Sequence, residues 1–443
     1  MTIQKSLRSA IRGRTAEAIA RDLEAAIREG RFDAGARLPS VRGLAELLRV
    51  SPTTVSAAYR GLRVRGLIAG DRRRGTSVRG RPALRTVAAP TLPPHLLDLA
   101  TGNPDPALLA PLAAVLGKIE PPPHLYADSH DLPALRELAV ASFGADRIPA
   151  DHLAIVSGGL DGIERALIAH LRPGDRVGIE DPGFSNVIDL VTALGLEVVP
   201  IAIDERGILP AALEASLAGL DALVVTPRAQ NPTGAAFDAE RARALRRILR
   251  ARPELLVIED DHAGAVAGAP MHTLCDGERE RWAVVRSTSK THAPDLRLAL
   301  LAGDGETVAR VAGRQRVGLR WVSQLLQRVV VELESDPASH RRVAAAARAY
   351  AERRGALVAA LAERGIAAFG RSGMNVWIPV PEETATVQAL AAAGYAVSAG
   401  ERFRIRSGPA IRITISRLPP KQAGPLADAI AAALSTGARS APV

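Results

Sequence analysis

Six short apolar runs, each closed by a loop and followed by a helical stretch, constrain this chain more than any other feature. They are LAIVSG (153–158), RVGIED (176–181), LEVVPI (196–201), ALVVTP (222–227), LLVIED (255–260) and WAVVRST (282–288). Runs this short, apolar without strict alternation, read as strands buried on both faces, the habit of parallel sheets. With helices between them, the pattern predicts an α/β domain with a mostly parallel sheet. Ligands of such sheets bind beyond the carboxyl ends of the strands, so the residues closing each run are the ones to read for chemistry.

After LAIVS come Gly158 and Gly159, then a helix from about Leu160. A glycine turn at a helix start offers N–H groups to an anion, although alone it is often just a turn. Asp181-Pro182-Gly183-Phe184 follows RVGIE and brings an aromatic ring to the same rim. PRAQNPTG follows ALVVT and carries Asn231; Asp260, Asp261 and His262 close LLVIE. The last run leads into RSTSKTHAPDLR, with Ser287, Ser289 and Lys290, and Arg297 seven residues on. A lone lysine would be a solvated surface residue. Five strand ends that together supply an anion cradle, an aromatic plate, an amide, a carboxylate and a lysine among hydroxyls fit pyridoxal 5′-phosphate. Lysine condenses with its aldehyde as a Schiff base. A carboxylate beside the pyridine nitrogen favours the protonated ring. The phosphate takes hydroxyls, backbone amides and an arginine.

NPTG, the acidic pair after a strand and SxSKxxxPxLR, in this order, resemble the fold-type I aminotransferases over residues 98–435. That resemblance implies a small C-terminal α+β subdomain and assigns roles. Lys290 is the catalytic, cofactor-linked residue, Asp260 pairs the ring nitrogen, Asn231 bonds the phenolic oxygen and Phe184 stacks. Gly158, Gly159, Ser287, Ser289 and Arg297 hold the phosphate. Tyr126, in LYADSHDLPALRE, matches a tyrosine that reaches the phosphate across a subunit interface. Arg412, in AIRITIS, matches the clamp for a substrate α-carboxylate; its plainer reading is a paired arginine at a strand end. Two positions depart from the pattern. His262 stands where a tyrosine often helps the phenolic oxygen, and a histidine's charge varies near neutrality. Asp131 stands where a glycine is usual. No residue set calls for a metal.

The charge is uneven. Residues 1–90 hold 19 Lys and Arg against 7 Asp and Glu, a net of +12, whereas the remainder carries 38 against 40. A local basic excess of this kind points to a polyanion, most simply nucleic acid, with an arginine-rich solvated surface as the plainer reading. Apolar residues recur at helical spacing from Ile11 through Ala16, Ile19, Ala20, Leu23, Ala26 and Ile27, stopping at Gly30. A second helix opens at Pro39-Ser40 and runs to about Leu48. A third is capped by Ser51 with Pro52 at its first position, buries Val55, Ala58, Tyr59 and Leu62, and ends at Gly66. Two short helices joined by a tight turn make a helix-turn-helix, whose second helix can enter the major groove. Residues 67–79 then read as a two-stranded wing with Arg72 to Gly75 at its tip.

GxRLPSxRxLAxxLxVSxxTVxxAYxxL resembles the GntR family of bacterial winged helix-turn-helix regulators over residues 14–79. The resemblance implies double-stranded DNA contacts from Arg42, Ser51, Thr53 and Thr54. The family often has an arginine where Pro52 stands, and its GxGT wing has become RRRGT, so Arg72, Arg73, Arg74 and Gly75 are the expected wing contacts.

The predicted organisation is a DNA-binding head over residues 9–80, a four-proline linker over 81–97, a body over 98–435 and a polar tail over 436–443. No run nears the ~20 unbroken apolar residues of a membrane span. Cys275 is the sole cysteine and the first residues lack an apolar signal core, so a cytoplasmic protein without disulfides or a membrane partner is expected. A GntR-type head fused to an aminotransferase-like body resembles the MocR regulators. RWAVVRSTSKTHAPDLRLALLAGD and RWVSQLLQ resemble their PtsJ-type branch, linked to vitamin B6 metabolism. The resemblance implies a homodimeric transcription factor whose body senses pyridoxal phosphate or an amino compound bound to it. The competing reading is a working aminotransferase, with full or half-reaction transaminase activity, whose DNA-binding head is accessory.

Overall fold

The computed structural model describes Leu7 and residues 10–28, 31–32, 35–64, 67–71, 75–78, 92–122, 124–126 and 130–438. In the head, α1 (Ala16–Arg28), β1 (Arg37–Leu38), α2 (Val41–Leu48), α3 (Pro52–Val64), β2 (Ile68–Asp71) and β3 (Gly75–Val78) follow in order. The first helix starts later than the apolar spacing predicts. Arg12 and Gly13 instead donate their backbone N–H groups to Asp22 Oδ2, each at 2.8 Å, which folds the preceding chain back on the helix. Ile11 is buried all the same.

The helix-turn-helix forms as its caps dictate. Ser40 Oγ accepts from Gly43 N at 3.1 Å, and Ser51 Oγ from Thr54 N at 3.1 Å. Val55, Ala58, Tyr59 and Leu62 are buried, packing α3 on α1 and α2. Tyr59 keeps its hydroxyl satisfied by donating to Pro39 O at 3.0 Å. The wing is antiparallel, and β1 adds a third strand to it, too short to leave a periodic signal. Gly75 is not at the tip: it opens β3, paired with Asp71. Gly30, Gly66 and Arg72, Arg73 and Arg74 lie outside the described residues.

In the body, β4 (Leu97–Asp98) precedes α4 (Pro133–Ala145), β5 (Leu153–Val156), α5 (Gly159–His170), β6 (Arg176–Asp181), β7 (Glu197–Asp204), β8 (Gly207–Ile208), β9 (Ala222–Val225), β10 (Leu256–Asp261), β11 (Trp282–Ser287) and β12 (Ala299–Gly303). All six apolar runs are strands. They join an eight-stranded sheet of order β5-β12-β11-β10-β9-β6-β7-β8. β10 runs parallel to β9 and β11, while β12 is antiparallel to both β11 and β5. One reversed strand therefore leaves β5, β9, β10 and β11 pointing the same way, with their carboxyl ends at one rim. β9, β10, β11 and β12 are buried throughout, as central strands covered on both faces must be, and β5, at the edge of the sheet, is buried as well. Leu223, Val225, Val257 and Val284 anchor the core beneath the sheet, with Phe143 of α4.

A smaller α+β unit follows: α6 (Pro337–Ala362), β13 (Asn375–Pro379), α7 (Glu383–Ala392), β14 (Tyr395–Ala396), β15 (Ser398–Ala399), β16 (Ala410–Thr414) and α8 (Ala423–Ala438). β16 sits between β13 and β15, and a second core forms around Leu357, Val376, Ile411, Ile413 and Leu426. β14 pairs in parallel with β4, so Leu97, at the end of the expected linker, is already part of a strand. The final helix reaches Ala438, past the expected start of the tail.

Candidate functional site

The strand-end residues gather as the topology requires. Gly158 has a φ of +102°, a conformation that favours glycine. A Cβ there would lie 2.9 Å from a terminal nitrogen of Arg297, so the missing side chain is what lets this guanidinium cross the turn. A Cβ on Gly159 would stand 3.7 Å from Ser287 Cβ and 3.8 Å from Asp260 Oδ1. Ser287 Oγ donates to Ser289 Oγ at 3.1 Å and accepts from Ser289 N at 3.2 Å. Two glycines, two hydroxyls and an arginine thus meet beside a carboxylate.

Lys290 Nζ donates to Gly102 O at 2.6 Å. Burial, and then the charge of Arg412, push its amine down to about 8. Arg412 meets the same segment. It donates to Ala100 O and, at 3.2 Å, to Asn231 Oδ1, and its guanidinium stacks 4.7 Å from the Phe403 ring centroid. Its Nε is buried without a partner. Burial, and then Arg402, push the guanidinium down to about 10. Among the described residues no carboxylate forms an ion pair with Arg412, and Asp98 acts on its charge only at a distance. Asn231 Oδ1 accepts from Arg412 and, at 3.4 Å, from Asn375, so its remaining hydrogen-bonding capacity is chiefly the two donors of its amide nitrogen.

Asp260 is 4% exposed, and its Oδ1 has no hydrogen-bond partner. Burial, and then the charge of Asp261, push its carboxyl up to about 7. His262 Nδ1 lies 3.9 Å from Asp260 Oδ2. Burial, and then Lys290, push this imidazole down to about 4. That shift runs against the expectation that His262 changes charge near neutrality: desolvation and a neighbouring cation both favour the neutral form of this half-buried ring. Phe184 is half-buried at the rim, and the adjoining Gly183 N donates to Phe403 O at 2.7 Å. Tyr126 is not brought to this cluster; it is 76% exposed, edge-on to Trp321 at 5.8 Å. Asp131, at the position where glycine is usual, pairs with Arg136 at 3.1 Å.

Sequence reasoning missed two parts of the site. One is the segment 100–102, whose carbonyls hold Arg412 and Lys290; its only signal is the Gly-Asn-Pro turn after β4. The other is a buried ion cluster behind the rim. Arg228 donates to Asp261 from Nε at 2.8 Å and Nη2 at 2.9 Å, and Arg286 Nε donates to Asp261 Oδ2 at 2.6 Å. Arg286 also reaches Asp146 at 2.5 Å and Ser142 Oγ at 2.8 Å. Burial alone would raise Asp261, but the hydrogen bonds and charges of the two arginines outweigh it and hold the carboxyl well below the usual range. The cluster ties together the stretches that carry Asn231, Asp260 and Lys290.

In the head, Arg42 and Thr53 are exposed. Ser51 and Thr54 bond each other's hydroxyls at 2.8 Å as part of the helix cap.

An unpartnered buried carboxylate oxygen is costly unless a donor fills the gap. A protonated pyridine nitrogen at Asp260 is such a donor, and the cradle of Gly158, Gly159, Ser287, Ser289 and Arg297 has the donor chemistry of a phosphate site. The residues therefore fit pyridoxal 5′-phosphate.

Comparison with known proteins agrees. The family model for aminotransferase class I and II matches residues 94–430, and that for bacterial regulatory proteins of the gntR family matches residues 15–78. The vitamin B6 salvage pathway transcriptional repressor PtsJ of Salmonella typhimurium is 39% identical, over 96% of this chain and 100% of its own length. The pyridoxine biosynthesis transcriptional regulator PdxR of Corynebacterium glutamicum is 27% identical, over 74% of each chain. Among solved structures, the α-aminoadipate aminotransferase LysN of Thermus thermophilus, complexed with N-(5′-phosphopyridoxyl)-L-leucine, shares the fold. Its TM-score is 0.69 at 21% identity, covering 79% of this chain and 94% of LysN. The cofactor of this body is pyridoxal 5′-phosphate. With its gntR-family head and its aminotransferase class I and II body, the chain belongs to the MocR-type transcriptional regulators.

Proposed function

We propose that this regulator couples occupancy of the Lys290 site to the DNA affinity of its head. The observation that carries the reading is the buried, unpartnered Oδ1 of Asp260 next to Gly159 and the Gly158–Arg297 cradle. A body that served only to join two heads would need none of these groups.

In this reading the bound cofactor supplies a reactive carbonyl and an electron-withdrawing ring. Lys290 Nζ is its attachment atom, and a lowered amine pKa leaves a sizeable unprotonated fraction near neutrality. Asp260 shares the proton of the ring nitrogen, and Phe184 covers the ring face. Asn231 donates to the phenolic oxygen, beside a neutral His262. Gly158, Gly159, Ser287, Ser289 and Arg297 hold the phosphate, and Arg412 receives the carboxylate of an amino compound. The exposed ring of Tyr126 suits a role on the phosphate of a second copy, so the working form is a homodimer. Two heads then read paired half-sites or direct repeats. The effector is pyridoxal phosphate or an amino compound bound with it. The names of PtsJ and PdxR support control of vitamin B6 metabolism, and a regulator that must meet DNA works in the cytoplasm in this reading. An effector shifts DNA binding only by favouring one head arrangement over another.

Lys290 and Arg412, both reaching Gly102, support a second reading, a working aminotransferase. Turnover assays separate the two. Steady multiple turnover of an amino donor and a keto acid at enzyme-like rates, of order 10 per second, would favour the enzyme. A single slow half-reaction, together with footprints on upstream DNA that change with pyridoxal phosphate, would favour the regulator.

A further inference from the structure

Arg49 lies at the turn between α2 and α3, at a φ of +54° and ψ of +48°. This is the left-handed region, cheap for glycine and strained for an L residue with a full side chain. The turn needs that conformation. Arg49 N bonds back to Glu46 O at 3.3 Å and Val50 N to Ala45 O at 3.0 Å, the helix-ending pattern for which glycine is the usual choice. The chain carries an arginine there instead, and nothing among the described residues of the head uses it. The side chain is exposed, and among the described residues its guanidinium has no hydrogen bond or ion pair. Glu46, three residues before it and also exposed, is not paired with it. A strained backbone position filled by an unengaged cation is the mark of a group kept for something outside the fold.

Its surroundings indicate what that is. Arg42, Glu46, Arg49 and Pro52 share the rim of one shallow concavity of about 480 Å³, over Ala45 and Val50. Arg42 is exposed and equally without a partner among the described residues. Ser51, Pro52 and Thr53 open α3 with no cation of their own, so Arg42 and Arg49 are the only positive side chains on this rim among the described residues. α3 turns Thr53, Ala57 and Arg60 outward, one exposed helix face continuing from the turn.

We propose that Arg49 is a DNA-phosphate contact, fixed by the left-handed turn at the flank of the helix that enters the groove. This rests on the DNA-binding reading of the head. A phosphate contact carries no sequence information but adds affinity and salt dependence. The strain is therefore a stability cost retained for binding.

Full-length protein is compared with its Arg49→Gly, Arg49→Asn and Arg49→Lys variants. Binding to a fluorescent duplex of its own upstream DNA is followed across a range of salt. Glycine and asparagine tolerate the turn and remove the charge; lysine keeps the charge. The proposal expects Arg49→Gly and Arg49→Asn to lose about three- to tenfold in affinity and to lower the salt slope by about one. Arg49→Lys should keep most of both. The melting temperature of Arg49→Gly should equal or exceed wild type by a few degrees, so weaker binding cannot be laid to misfolding. Wild-type affinity and slope in Arg49→Gly and Arg49→Asn would overturn the proposal. A wild-type protein that fails to bind would overturn the DNA-binding reading and the proposal with it.

Discussion

Asp260 and Asp261 follow one another at the end of β10, yet Asp261 is clasped by Arg228 and Arg286 while Oδ1 of Asp260 has no partner. Strand alternation turns the two side chains to opposite faces. One becomes the centre of a structural ion cluster. The other is left for a ligand.

This asymmetry predicts opposite effects of Asp260→Asn with and without cofactor. The folded carboxyl titrates at about 7, above its ordinary 3.8. Between those values the folded state holds the extra proton, so the group favours folding at low pH and that support is lost as pH rises through 7. In cofactor-free protein at pH 8, Asp260→Asn should therefore gain on the order of 2 kcal/mol in urea unfolding. Near pH 4 the two proteins should match. Pyridoxal phosphate affinity should fall roughly 10- to 100-fold, since the charge opposite the ring nitrogen is gone.

Replacing Asp261 should do something different. Asp261→Asn leaves two buried guanidiniums without their shared carboxylate and should cost about 3–5 kcal/mol at every pH near neutrality. Urea unfolding of the apo protein measures it; a loss below about 1 kcal/mol would mean that Asp146 and backbone carbonyls suffice.

Lys290 predicts a pH profile for cofactor uptake. With its amine at about 8, the unprotonated fraction grows about tenfold from pH 7 to pH 9. The rate of covalent uptake, followed by visible absorbance, should rise in that window and level off above it. A rise delayed beyond pH 10 would show that burial does not act on Lys290 as the geometry implies.

Gly158 predicts a steric block. Alanine there must adopt a φ of +102° with its Cβ 2.9 Å from Arg297. Gly158→Ala should weaken pyridoxal phosphate binding at least tenfold by displacing that arginine, while leaving the DNA affinity of the cofactor-free protein unchanged. Titration of both ligands checks the split.

The rim was legible in the sequence because each of its residues sits just past a short apolar run, and strand direction then forces the runs' ends together. The head was legible because Ser40, Ser51 and Pro52 mark helix starts locally. The rest was not local. Arg228, Asp261, Arg286 and Asp146 are scattered over 140 residues, and nothing local pairs the two arginines with the two carboxylates. β12 runs against its neighbours, a direction that apolar composition does not encode. The charge state of His262 depends on burial and on Lys290, neither visible in its own neighbourhood.

The central claim is that the Lys290 site and the head are thermodynamically linked. The most direct test measures affinity for a fluorescent duplex of the protein's upstream DNA, with and without pyridoxal phosphate, for wild type and Lys290→Ala at two salt concentrations. The account predicts a cofactor-dependent change in wild type, of about 5- to 150-fold, that survives the change of salt and is lost in Lys290→Ala. Affinities that ignore the cofactor in both proteins and collapse together with salt would contradict it, leaving the head a generic polyanion contact and the body an enzyme.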